Sequence, residues 1–218
     1  FRRVAGGRQT QLGLSLSDAW SPAEGWNLVA NLRGDWFRDD QGRHKKWLLS
    51  NDAVLEDHSF VAREDFEAGG LLQLSRELTP QLAVRATVRS HVRQPTLNEL
   101  YRPYRVGAFK VAANENLVTE RITGTEVGLD WSPSEACSIS LTLFQDYLRD
   151  SVANVSDPAS PYDARRINLN QARSKGLELS LEYLLANDFT IELKSLLVDT
   201  EVRRCPENPD IVGNRFAQ

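Results

Sequence analysis

Alternation of apolar with polar or small residues, repeated in segments of about ten residues bounded by turn formers, constrains this chain more than any other feature. Leu12, Leu14 and Leu16 alternate with Gln11, Gly13 and Ser15 up to Trp20. A Ser-Pro-Ala-Glu-Gly turn follows, and Trp26, Leu28, Ala30 and Leu32 take up the same rhythm. A second pair runs from Phe66 through Leu72 and Leu74, turns at Thr79-Pro80 and returns through Leu82, Val84, Ala86 and Val88. A third joins Val127, Leu129 and Trp131 to Ile139, Leu141 and Leu143 across Ser-Pro-Ser-Glu. The fourth joins Leu177, Leu179, Leu181 and Tyr183 to Phe189, Ile191 and Leu193 across Ala-Asn-Asp. A period of two places each apolar set on one face of a strand. The pattern therefore reads as an all-β antiparallel sheet of about eight strands in four hairpins.

The connections divide into two kinds. Turns of about three to five residues alternate with connections of roughly twenty to thirty, at 38 to 64, 94 to 123, 150 to 172 and one begun at 200. A transmembrane β-barrel has this asymmetry, with short periplasmic turns and long extracellular loops. The negative mean hydropathy of -0.42 is compatible with it, since only every second residue of a barrel strand meets lipid. No run approaches the roughly 20 apolar residues of a spanning helix. Arg85, Arg89 and His91, with Thr87, occupy the face opposite the leucines and are expected to face a watery lumen, because unpaired charges in a dry core are costly. Trp20, Trp26, Trp131, Tyr183 and Phe189 lie near turns and are expected to form a membrane-interface girdle.

Composition narrows the chemistry further. With 26 basic and 30 acidic residues the net charge is -4, which offers no one-signed field for nucleic acid. Cys137 and Cys205 fall at opposite strand ends, so no disulfide is expected. His44, His58 and His91 are scattered, and no set of residues has catalytic or metal-ligand spacing; neither an enzyme nor a bound cofactor or metal is expected. The acidic residues Asp39, Asp40, Asp52, Glu56 and Asp57 lack the fixed spacing of a calcium loop and read as solvated charge. Gly69, Gly70, Gly128 and Gly176 read as bends, bulges or close approaches in a curved sheet. The basic residues Arg102, Arg105, Lys110, Arg165 and Arg166 read as solvated loop charge, with anion contact as the alternative.

Residues 93 to 121 read RQPTLNELYRPYRVGAFKVAANENLVTER. This resembles the R-x-P-T-L-x-E-L-Y-R-P-F-R-V-G…A-N-P-x-L-x-P-E segment of TonB-dependent outer-membrane receptors, matching from Arg93 through Gly107 and again at Ala113, Asn114, Leu117 and Glu120. It departs at Glu115 and Thr119, where the family usually has proline. Ser174-Lys175-Gly176-Leu177-Glu178, preceded by Asn168 to Ala172, resembles the family's S-x-G-x-E strand start.

The resemblance implies TonB-dependent uptake of a scarce ligand, such as a ferric siderophore or cobalamin, across the bacterial outer membrane. The implied partners are outer-membrane lipid, a small extracellular ligand such as a metal chelate, and TonB acting through an N-terminal plug. Arg93, Glu99, Tyr101, Arg102, Tyr104 and Arg105 are the loop residues suited to ligand contact, since Tyr and Arg supply rigid area and forked hydrogen bonding. Because the motif recurs across receptors for different ligands, its first part implies a scaffold role, fixing loop entry or the contact between barrel and plug, ahead of ligand contact. Residues 1–218 are expected to form part of a single barrel domain, with the plug and the final strands elsewhere in a longer protein. Two alternatives stand beside this one: a small complete eight-stranded barrel with a structural or adhesive role, and a soluble carbohydrate-binding β-sandwich.

Overall fold

The computed structural model describes residues 1–157, 160–185 and 189–215. In chain order the elements are β1 (Arg2–Trp20), β2 (Trp26–Trp47), β3 (Val54–Ser59), β4 (Arg63–Thr79), β5 (Leu82–Arg93), α1 (Leu97–Tyr101), β6 (Tyr104–Val106), β7 (Phe109–Ala112), β8 (Glu120–Ser134), β9 (Cys137–Asp157), β10 (Ser160–Leu185) and β11 (Phe189–Arg204). All the strands belong to one 11-stranded sheet. Its frame is an antiparallel meander of the long strands β1, β2, β4, β5, β8, β9, β10 and β11, each paired with the next. The short strand β3 pairs with β2, and the β6–β7 hairpin joins through a parallel contact of β7 with the upper part of β10.

Register aligns the alternating residues into rows that cross the sheet. Val127, Leu143, Leu177 and Leu197 form one row, and Trp131, Ile139, Leu181 and Leu193 another. These rows form an uncovered face, on which Leu14 is 81% and Leu197 64% exposed. Nothing packs over it, so the two facing sheets and dry leucine core of a soluble sandwich are absent among the described residues. β1 pairs with β2 and β11 with β10, and no pairing joins β1 to β11 among the described residues. The complete eight-stranded barrel required that pairing.

The long connections are more regular than the sequence suggests. Residues 38 to 64 hold the upper half of β2 and all of β3, and residues 150 to 157 and 160 to 172 lie in the continuing strands β9 and β10. β1 likewise starts at Arg2, well before its leucine alternation. Above the apolar rows strict alternation gives way to polar stretches broken by residues such as Ile167 and Leu169, so the period-two signal fades while the backbone ladder continues. The sheet thus has eleven strands where about eight were expected. The expected turn at 186 to 188 lies outside the described residues. The His44 and His58 positions, read as loop, are cross-strand partners of β2 and β3.

Two small buried clusters stand in place of a large core. Ile167, Leu169, Val202 and Cys205 form one, and Leu100, Tyr101 and Leu117 the other, the latter packed with Phe60, Leu97 and Val152. Cys137 and Cys205 are free thiols.

Candidate functional site

The segment from Arg93 to Arg121 folds back over the polar face of the sheet. Its first turn forms because Thr96 caps α1: the Thr96 hydroxyl accepts from the Glu99 backbone N–H at 3.3 Å, and the Glu99 carboxylate accepts from the Thr96 N–H at 2.7 Å. This reciprocal pattern is the capping box of a Thr-x-x-Glu sequence. The helix presses Leu100 and Tyr101 onto the sheet, where both are buried. Tyr101 stacks on Phe60 with ring centroids 4.8 Å apart. Its ring lies against Gly7 and Gly42, where an added Cβ would come within 3.2 Å and 2.8 Å of ring carbons.

Charged groups hold the other side of the segment. Arg93 donates to Glu99 at 3.0 and 3.2 Å and also to Glu120, which is nearly buried and accepts the Val152 N–H at 2.8 Å. Burial works to raise the Glu99 pKa, but the hydrogen bonds from Arg93 and Thr96 outweigh it and hold the carboxyl below its ordinary value. Arg166 reaches across from β10 and donates through one Nη1 to the carbonyls of Asn98 at 2.8 Å and Arg102 at 3.1 Å, satisfying the C-terminal end of α1. Asn168 pairs with Val118 in both directions, at 3.0 and 3.1 Å, as a strand backbone would. Arg63 donates to the Leu117 carbonyl at 2.6 Å and to Asp39 at 2.8 Å.

Several residues therefore have roles different from those expected. Asp39 is not solvated charge. It is fully buried and accepts from Gln9, Gln94 and Arg63. Arg166 is likewise buried, whereas Arg165 is exposed and pairs with Glu207 at 3.5 Å. The sequence does not separate them: what buries Arg166 is its contact with the carbonyls of α1, 68 positions away at Asn98.

Arg85 and Arg89 lie on the face opposite the leucine rows. Arg85 pairs with Asp130 and donates to the Thr142 hydroxyl at 2.5 Å, and Arg89 donates to Asp146 at 2.9 Å and pairs with Glu126. Their cross-strand partners on β8 are Gly128 and Gly124; an added Cβ would strike the Arg85 guanidinium at Gly128 and, at Gly124, the Asp146 carboxylate that Arg89 holds. The glycines leave room for the arginines to lie flat and reach β9. His91 is exposed near them. Trp20, Trp26, Trp131, Tyr183 and Phe189 all lie beside the short turns, and Trp26 receives the Arg76 guanidinium 4.8 Å from its ring centroid.

The six loop residues suited to ligand contact split into two groups. Arg93, Glu99 and Tyr101 are engaged within the clamp, whereas Arg102, Tyr104 and Arg105 are exposed. Tyr104 lies under Arg166, whose Cζ is 5.2 Å from the ring centroid. Beside it a cleft of about 470 Å³ is lined by Arg3, Lys46, Tyr104, Arg105, Lys110 and Asp163, among others. Arg3 donates to the Pro103 carbonyl at 3.0 Å, and Lys110 lies 3.6 Å from Asp163.

A single antiparallel meander with one apolar face, short turns at one end and a polar segment folded over the opposite face at the other fits part of a receptor barrel. Residues 2–218 match the family model described as TonB dependent receptor-like, beta-barrel. The chain belongs to this family. Solved structures agree on the fold. The copper transporter OprC superposes with a TM-score of 0.74 at 17% identity, covering 91% of this chain and 30% of that one. The Serratia marcescens hemophore receptor HasR, solved with its hemophore HasA and heme, gives 0.71 at 18% identity, covering 89% and 34%. The ferric yersiniabactin uptake receptor FyuA from Yersinia pestis gives 0.64 at 14% identity, covering 91% and 28%. The chain thus spans about a third of the length of these structures. No curated protein matches it. TonB-dependent receptors are outer-membrane transporters rather than enzymes, and the neighbours are named for copper, heme and a ferric siderophore.

Proposed function

We propose that this chain is part of the barrel of an outer-membrane receptor that takes up a scarce ligand, such as a ferric siderophore or cobalamin, with energy delivered through TonB. In this reading the plug and the closing strands belong to the rest of the parent protein, and TonB acts through that plug. The observation that carries the reading is the segment 93 to 121. Its first half is locked to the sheet by α1, Arg93, Glu120 and Arg166, while Arg102, Tyr104 and Arg105 project beside an open cleft. A rigid base carrying exposed Tyr and Arg side chains is the arrangement that supplies recognition energy with little ordering cost.

The test is uptake by the full-length protein in cells lacking their own receptors, with radiolabelled ferric catecholate, ferric hydroxamate and cobalamin supplied separately. Accumulation of one of them that requires functional TonB, and falls when Tyr104 and Arg105 are both replaced by alanine, is the expected result. Absence of TonB-dependent accumulation of every metal chelate or corrinoid tried would overturn the reading.

A further inference from the structure

The ladder of β4 changes at Gly70. Toward the short turns, from Gly70 to Thr79, β4 is flanked by β2 on one side and β5 on the other. From Arg63 to Gly69 it pairs with β2 alone, and its other edge has no strand partner among the described residues. The cause lies in β5, which ends at Arg93 and turns inward: Pro95 has no N–H to offer a ladder, and Thr96 caps the start of α1. β8 begins only at Glu120, opposite Arg93, so above that level the wall lacks the strand that separates β4 from β8. Two strand spacings make this gap about 10 Å wide.

Side chains close the gap in a regular order. Arg63 donates to the Leu117 carbonyl at 2.6 Å, the Thr119 hydroxyl donates to Asp65 at 2.9 Å, and Arg121 pairs with Glu67. Each bridge joins residues 54 positions apart, because β4 and the chain entering β8 run parallel and advance together two residues at a time. Arg121 also donates to the Ala68 carbonyl at 2.8 Å and the Ser90 hydroxyl at 3.2 Å, so one guanidinium occupies the place of the missing strand. No backbone hydrogen bond crosses the gap among the described residues. The opposite side of the same stretch is bound more like a strand. Asn168 on β10 takes both the N–H and the carbonyl of Val118, Asn114 donates to the Arg166 carbonyl at 2.9 Å, and Glu120 accepts the Val152 N–H.

We propose that this gap is a latched seam, where β4 and residues 115 to 121 part while every strand ladder stays intact. Partly exposed side-chain pairs give way at smaller cost than a ladder, whose hydrogen bonds open cooperatively. Parting leaves residues 115 to 121 on β10 and widens the passage beside the inward-folded segment on its β4 side. The latch has a purpose only under the uptake proposed above, because the segment 93 to 121 lies over the polar face that a ligand must pass.

The test uses the full-length receptor in a background without other reactive cysteines. Spin labels at Glu64→Cys and Val118→Cys, both exposed and on opposite sides of the seam, are expected to report two distances. The longer exceeds the shorter by about 5 Å, one strand spacing, and its population rises in Arg121→Gln. Asp65→Cys/Thr119→Cys, joined by a short bismethanethiosulfonate, holds the seam shut. Radiolabelled ferric catecholate, ferric hydroxamate and cobalamin are supplied to the linked and unlinked receptor. Uptake of whichever the unlinked receptor accumulates is expected to stop on linking while surface binding persists, and to resume on reduction. A single distance that Arg121→Gln leaves unchanged, or uptake by the linked receptor at the unlinked rate, overturns the latch alone. An unlinked receptor that accumulates none of the three overturns the uptake reading instead, and the distance measurement then decides the seam by itself.

Discussion

Tyr101 occupies a slot that exists because two residues beneath it have no side chain. An added Cβ at Gly42 would stand 2.8 Å from the Tyr101 ring and 3.1 Å from the Phe60 Cβ. Gly42→Ala is therefore expected to destabilise the clamp by about 1–3 kcal/mol, the usual cost of overpacking, seen as faster hydrogen exchange across 97 to 117. Arg93 is the other critical side chain. Arg93→Ala leaves Glu120 nearly buried without its guanidinium and is expected to cost about 2 kcal/mol in thermal unfolding of the full-length receptor, whereas Arg105→Ala costs little. Glu99 adds a pH dependence. Its pKa is lower in the folded state, so its contribution is present above the ordinary carboxylate value of about 4.3 and is lost as pH falls through the depressed one. Exchange at 97 to 102 is expected to accelerate below about pH 4 and to lose that acceleration in Glu99→Gln.

Among the elements, α1 is short enough that its cap decides its existence. Thr96→Ala removes the hydroxyl that accepts from the Glu99 N–H and is expected to cost about 1 kcal/mol, read as local exchange with global stability nearly unchanged. The Thr-x-x-Glu signal was present in the sequence, so this helix was legible there even though the segment read as loop. The upper parts of β2, β9 and β10 were not, because ladder hydrogen bonds hold a strand together whether or not one face is apolar. β8 shows a different kind of hidden information. Gly128 was readable as a place of close approach, but that the approaching group is Arg85 follows from cross-strand register.

For the molecule as a whole, the uncovered leucine face is expected to require lipid or detergent. Leu193→Arg, in the middle of the outer rows, is expected to reduce barrel stability by about 2–4 kcal/mol, measured by urea unfolding of the full-length receptor in vesicles. The same change at Gln145, above the apolar rows and beside Lys175, is expected to have little effect.

Period-two alternation, the contrast of short turns with long connections, and the motif from Arg93 onward were enough to establish an all-β membrane barrel of the TonB-dependent receptor family. All three are local along the chain, and local order is what a sequence displays. The tertiary structure decided which charges are structural and which are free. It buried Asp39 and Arg166, tied Arg93 and Glu99 into the clamp, and left Arg102, Tyr104, Arg105, Arg149 and Arg204 exposed. Many of those assignments depend on residues far apart in the chain meeting across strands, as Arg63 meets Leu117 and Arg166 meets Asn98, and only the folded sheet sets that register.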